Sequence, residues 1–300
     1  MRFGWLALSN PVSIWWLFLV CIAASNILLW VMLYRLTRER AFNSISSAFR
    51  VELMVLLTAA YVFGCAFRSV LPRADVQRIC LFDTWLSSIV VGRSVATVAE
   101  ICFVVQWAIV LHCLARLAKS RAVRSISIVI VPLIIIAECS SWYAVIRTNY
   151  LGNMIENSLW ALTFMLIAAG FSLLLSKFRG VVRLAIGSAI VGITAYAVFM
   201  FTVDVPMYFG RWLADVANGR QYLGFFAGLH DVSTRWIVTH DIAQWRDEIA
   251  WMSLYFSVAV WTSLALGCFG LVRDELPHYL ADLSNPNVSP GRLPARVGAG

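Results

Sequence analysis

The stretch Met154–Ser176, MIENSLWALTFMLIAAGFSLLLS, decides the fold. At 1.5 Å of rise per residue, a helix over it is roughly 34 Å long, enough to cross the hydrocarbon of a bilayer. Beyond Glu156 the run carries no charge, and its apolar residues do not alternate with polar ones as the strands of a membrane barrel would. Its first turns hold the exception. Asn153, Glu156, Asn157 and Trp160 fall at i, i+3, i+4 and i+7, so two amides, a carboxylate and an indole share one helix face near one end of the span.

Composition extends this reading to the whole chain. Of 300 residues, 61% are apolar and only 13% charged, and the mean hydropathy is +0.78, which leaves too little polar surface for a soluble globule. Seven apolar spans are expected near 13–34, 53–71, 94–115, 125–146, 154–176, 184–203 and 249–272. The expected fold class is therefore all-α, a polytopic membrane bundle forming one helical domain over 1–282, with a disordered cytoplasmic tail at 283–300. The apolar run from Val12 to Tyr34 lacks a small-residue cleavage pattern and reads as a retained first span. No inverted repeat is evident.

Basic residues orient the bundle. Arg35, Arg38, Arg40 and Arg50 lie in the first link, Arg116, Lys119, Arg121 and Arg124 in the third, and Lys177, Arg179 and Arg183 in the fifth. By the positive-inside rule these links face the cytoplasm, with the N-terminus outside and the C-terminus inside, in the plasma membrane or, in a bacterium, the inner membrane. The net charge of +8 is then a topology signal, and membrane lipids, not nucleic acid, are the expected partners; no protein partner is legible. The long outer link 204–248, with Trp212, Tyr222, Phe225, Phe226, Trp236 and Trp245, suits amphipathic stretches in the headgroup layer and a lid. The cysteines read as packing residues; Cys80, in an outer loop, is the one placed for a disulfide, to Cys139 or Cys102.

Carboxylates inside spans carry the functional signal. An ionised carboxylate in hydrocarbon costs several kcal/mol unless paired, protonated or hydrated. Glu100, Glu138 and Glu156 fall at similar depth on three consecutive spans, which makes them the candidate catalytic or metal-binding acids. Arg93, Thr97 and Glu100 align on the third span. Arg68 and Arg93 are candidate counter-charges or anion-binding groups, with Asn153, Asn157, Trp142 and Trp160 lining the same level. Glu138 with Trp142 and Glu156 with Trp160 share a Glu-x-Ser-x-Trp pattern that puts an acid and an indole on one face. Asp204, His230 and His240, from the outer link, are candidate lid or metal residues. Such a set would suit a hard or borderline divalent cation, or general acid–base work on a headgroup. Asn26, Gln106 and His112 read as helix-packing contacts.

Some chemistries are excluded. A retinal-type Schiff base needs a lysine in the last span, and none lies there; closely spaced histidines for zinc, a Walker loop and a nucleophile elbow are also absent. What remains is an outward-facing carboxylate, arginine and aromatic cavity. Its first expected role is an enzyme acting on a lipid or lipid-linked substrate at the outer leaflet. The alternatives are a small transporter or channel for a cation or polar solute, and a non-catalytic sensor or assembly partner. The orientation is testable by single-cysteine labelling on a cysteine-free background. An impermeant reagent added from outside should label Gly219→Cys and spare Ser120→Cys; the reverse pattern would invert the topology.

Overall fold

The computed structural model describes residues 10–41 and 48–280. The tail expectation at 283–300 lies outside them. Among the described residues, seven helices are long and apolar enough to cross a membrane: Pro11–Glu39, Glu52–Val70, Ile89–Leu117, Arg121–Arg147, Tyr150–Leu175, Gly180–Ala217 and Ile242–Val272. Each expected span falls on one of them. The first five belong to helices α1 (Pro11–Ala41), α2 (Ala48–Val70), α3 (Ile89–Leu117), α4 (Arg121–Arg147) and α5 (Tyr150–Leu175).

The last two spans are longer than the sequence suggests. Helix α6 (Gly180–Phe199) continues through a π-helical segment, Met200–Asp204, into α7 (Val205–Ala217). Pro206, in the first turn of α7, lacks an amide proton and its ring crowds the carbonyl four residues earlier, so the backbone widens there instead of ending. Likewise α9 (Ile242–Leu254) passes through a second π-helical segment, Tyr255–Ala259, into α10 (Val260–Val272). Asn26 of α1 donates from Nδ2 to the Phe256 carbonyl at 2.9 Å, and its own Oδ1 accepts from Trp261 Nε1 at 3.0 Å. A widened turn releases backbone groups from their usual partners, and this amide takes one up. The connection expected at 204–248 thereby shrinks to 218–241.

Consecutive helices run antiparallel, so the connections gather at two ends. The basic end holds the short α3–α4 and α5–α6 turns and the C-terminal segment, where Phe178 and Leu280 form an isolated bridge. The opposite end carries a small cap that the sequence reading did not foresee. Strands β1 (Arg73–Ala74) and β2 (Ile79–Cys80) pair antiparallel, and β2 pairs parallel with β3 (Ile237–Val238). This sheet ties the α2–α3 connection to the residues before α9. Arg78, at φ 61° in the turn, donates from Nε to Asp231 Oδ2 (2.8 Å), from Nη1 to the Asp75 carbonyl (2.6 Å) and from Nη2 to the Val145 carbonyl (2.5 Å). One side chain thus joins the loop, α4 and the cap helix α8 (Phe225–Thr234).

The cap is more deeply packed than a headgroup-layer lid would be. Trp245 is fully buried, donates to the Thr239 carbonyl at 3.0 Å and lies against Trp15 at 5.4 Å between ring centres, whereas Phe226 remains 84% exposed. No disulfide forms among the described residues: Cys139 is exposed on α4, and the Cys80 thiol donates to the Phe82 carbonyl, so the disulfide raised by the sequence is not formed. Toward the bundle middle, Gln106 donates to Thr58 Oγ1 at 2.6 Å and accepts from Ser263 at 2.7 Å, tying α2, α3 and α10. His112 meets Ser127 at 3.1 Å. These are the packing roles expected of them.

Helix α8 lies close on α4 because Gly228 has no side chain; a Cβ there would overlap the Ile146 carbonyl oxygen. Gly228→Ala should destabilise the protein by about 1–3 kcal/mol through overpacking. The effect should appear as a lower thermal midpoint in detergent together with faster hydrogen exchange across 225–238, leaving α5 and α6 unchanged.

Candidate functional site

Three helices bring the acids together. Counting along α3, α4 and α5 from the cap end, Glu100, Glu138 and Glu156 sit roughly 9–17 Å in. One carboxylate oxygen from each lies within 4.8 Å of the other two, and all three residues are buried. At the centre is Arg93, two turns before Glu100 on α3. Its Nη2 donates to Glu138 Oε2 at 2.8 Å and to Glu100 Oε2 and Glu156 Oε1 at 3.1 Å each. One guanidinium nitrogen therefore serves three carboxylates on three helices.

A ring of neutral donors completes the cluster. Thr97, one turn from Arg93, donates to Glu138 Oε2 at 2.6 Å and accepts from the Trp142 indole at 3.1 Å. Asn153 donates to Glu156 Oε2 at 3.2 Å. Tyr255 donates to Glu100 Oε1 at 2.7 Å. It is the first residue of the second π-helical segment, and the first segment ends on Asp204, which accepts from Asn157 at 3.3 Å. Both widened turns thus place a polar side chain at the level of the acids. Beneath lies an aromatic wall, with Tyr61 stacked on Phe103 at 4.5 Å, and Phe164 meeting Phe103, Trp107, Trp160 and Tyr196.

The balance of charge is the chemical content of the site. Three carboxylates face one guanidinium in a buried setting, where like charges at this separation cannot all stay ionised without a further positive partner. Moreover, Glu138 Oε1, Arg93 Nε and Asn153 Oδ1 are buried with no hydrogen-bond partner among the described residues. Most buried polar atoms are bonded, so spare donors and acceptors grouped at one place mark where a proton, ion or polar group fits. The arrangement suits proton exchange between carboxyls and cation binding.

The remaining expected residues divide. Arg68, at the end of α2, hydrogen-bonds none of the three glutamates, although Glu100 is among the charges around it. Trp142 joins the cluster through Thr97, while Trp160 packs on Phe164, so the repeated Glu-x-Ser-x-Trp pattern has two different structural meanings. His230 is exposed on α8 beside Thr234, and His240 meets the Leu81 carbonyl at 2.9 Å; both belong to the cap, and neither is in the metal-competent group, which contains the three glutamates alone among the described residues. The acids and Arg93 are less than a tenth exposed, so the cluster is buried and not open to the outside, and two surface grooves lie on apolar flanks, between α5 and α6 and between α1 and α10. Tyr255 escaped the sequence reading. Its faint signal is Trp251 one turn earlier, against which it stacks at 4.7 Å.

No known protein family, curated protein or solved structure matches this chain.

Removing Arg93 would leave three carboxylates facing each other. Arg93→Gln should cost about 3–5 kcal/mol at neutral pH, the typical penalty for orphaning a buried ionic partner. Part of that loss should return on acidification, as the acids take up protons, and the double variant Arg93→Gln/Glu138→Gln should be more stable than Arg93→Gln alone. Thermal unfolding in detergent across pH 5–8 measures all three.

Proposed function

We propose that the protein works through cation binding at Glu100, Glu138 and Glu156, the cation being a proton or a small divalent metal ion that takes over part of the charge balance held by Arg93. The observation that supports this reading is Glu138 Oε1, a buried acceptor with no donor among the described residues, within a set of three carboxylates that share a single guanidinium nitrogen. Inside a membrane such a surplus of negative charge calls for neutralisation. We read the centre as that of a membrane-embedded enzyme acting on a lipid or lipid-linked substrate at the outer leaflet. One carboxyl of the triad would donate a proton and another would accept one, with Thr97 and Tyr255 fixing their orientation. The exposed Phe225 and Phe226 of the cap suit contact with the lipid from which such a substrate would come.

A second reading, a small transporter or channel for a cation or polar solute, draws on the closure of the centre. A carrier keeps its site shut between its two open states, and two π-helical segments beside the site offer places for helices to bend.

Purified protein in nanodiscs should be stabilised by Mg²⁺, Mn²⁺ or Zn²⁺, or by protons, and Glu138→Gln should lose that response. Saturation at a hundred times the dissociation constant corresponds to about 2.7 kcal/mol. Absence of both metal and proton linkage would remove the reading. Lipid turnover followed by mass spectrometry, set against ion flux into sealed liposomes, separates the enzyme from the carrier.

A further inference from the structure

Beside the carboxylate centre lies a second cluster with the opposite imbalance. Arg73, in β1, is 1% exposed; its Nε donates to Asp75 Oδ1 at 3.0 Å and its Nη1 to the Ser88 carbonyl at 2.9 Å, but Nη2 is buried with no acceptor among the described residues. The guanidinium lies over the first turn of α3, and a Cβ at Gly92 would overlap it. Ser88, the residue capping α3, is fully buried, yet its hydroxyl makes no cap bond and has no other partner among the described residues.

Arg68 approaches from α2, 6% exposed, with no hydrogen bond from its guanidinium to a described residue, and with Asp75, Glu100 and Arg93 as its charged neighbours. Arg93 adds an Nε without a partner from the side of the glutamates. Asp75 thus has the charges of Arg73, Arg68 and Arg93 around it, and Arg73 Nη2, Arg93 Nε and the Ser88 hydroxyl are spare donors among the described residues.

Buried guanidiniums are kept bonded in proteins because each carries five donors and no means of losing its charge. The ligand that satisfies several at once is a tetrahedral oxyanion, which accepts fork-shaped arginine donors and sits well at the open amides of a helix start. We propose that Arg68, Arg73 and the first turn of α3, with Ser88, bind a phosphate group, Asp75 holding the place as an internal carboxylate when the ligand is away. This names the substrate class of the carboxylate centre and rests on that reading for its purpose, while the binding itself stands apart from it. The phosphate would lie on the cap side of Arg93 and the acids on the other, so a phosphate-bearing headgroup would present its neighbouring bond to the glutamates. The electrostatics agree. Burial draws Arg73 down to about 10 even with Asp75 beside it, and the Asp75 carboxyl, pushed up by burial, is held below its ordinary value by Arg73, Arg68 and Arg93 together.

The test uses full-length protein in maltoside micelles with three probes: inorganic phosphate, dihexanoyl phosphatidic acid, and dihexanoylglycerol as the phosphate-free control. Thermal shift and calorimetric titration should show binding of phosphatidic acid, inorganic phosphate or both, and none of the control. Binding of inorganic phosphate identifies a free-anion site, and binding of phosphatidic acid alone a headgroup site. Arg68→Gln and Arg73→Gln should each weaken binding about tenfold or more, whereas Asp75→Asn, which removes the internal competitor, should tighten it severalfold. Glu138→Gln should leave phosphate binding intact while abolishing the cation response, so either finding can fail without the other. No binding of either phosphate probe, undiminished binding in the arginine variants, or weaker binding in Asp75→Asn would each overturn the proposal.

Discussion

The structure turns on a single nitrogen. Arg93 Nη2 holds carboxylates from α3, α4 and α5 at 2.8–3.1 Å, and no other group among the described residues links these three helices through charge. In water such a contact would contribute little; in a bundle whose surroundings are hydrocarbon, each member would be intolerable without the others. The same constraint explains the neutral ring. Thr97, Asn153 and Tyr255 donate to the acids alongside the guanidinium, and Trp142 in turn donates to the Thr97 hydroxyl. Most of the acids' demand is met locally, and the one acceptor left over, Glu138 Oε1, becomes conspicuous.

Arranged around that nitrogen, the cap and the two long helices have distinct tasks. The sheet and Arg78 close the end of the bundle above the acids, and the π-helical segments deliver Asp204 and Tyr255 from helices that an unbroken α-helical register would phase differently. Charge is segregated in layers. Arginines gather on the cap side around Asp75, acids lie below Arg93, and aromatic rings from Tyr61 to Phe171 fill the space beneath.

Much of this was legible from residue order. The length and hydropathy of the runs gave the seven helices, and the spacing of Arg93, Thr97 and Glu100, and of Asn153 and Glu156, placed the polar faces, because helical period follows directly from sequence. Convergence of the three acids was readable from their common depth. The cap was not, since its strands are two residues long, too short for a local pattern to carry a signal, and the β2–β3 pairing spans more than 150 positions. Tyr255 was hidden for a related reason: its place depends on a widened turn. The packing of the cap on α4 rests on Arg78 and Gly228, through contacts with α4 backbone carbonyls, and nothing in the residue types announces those.

The two π-helical segments have one more consequence. Each accommodates an extra residue within a continuous helix, so the halves on either side are offset in rotational phase from an unbroken α-helix. The cap-side halves, α7 and α9, therefore present different faces to the bundle than straight continuations of α6 and α10 would. One inserted residue in each helix is what turns Asp204 toward Asn157 and Tyr255 toward Glu100.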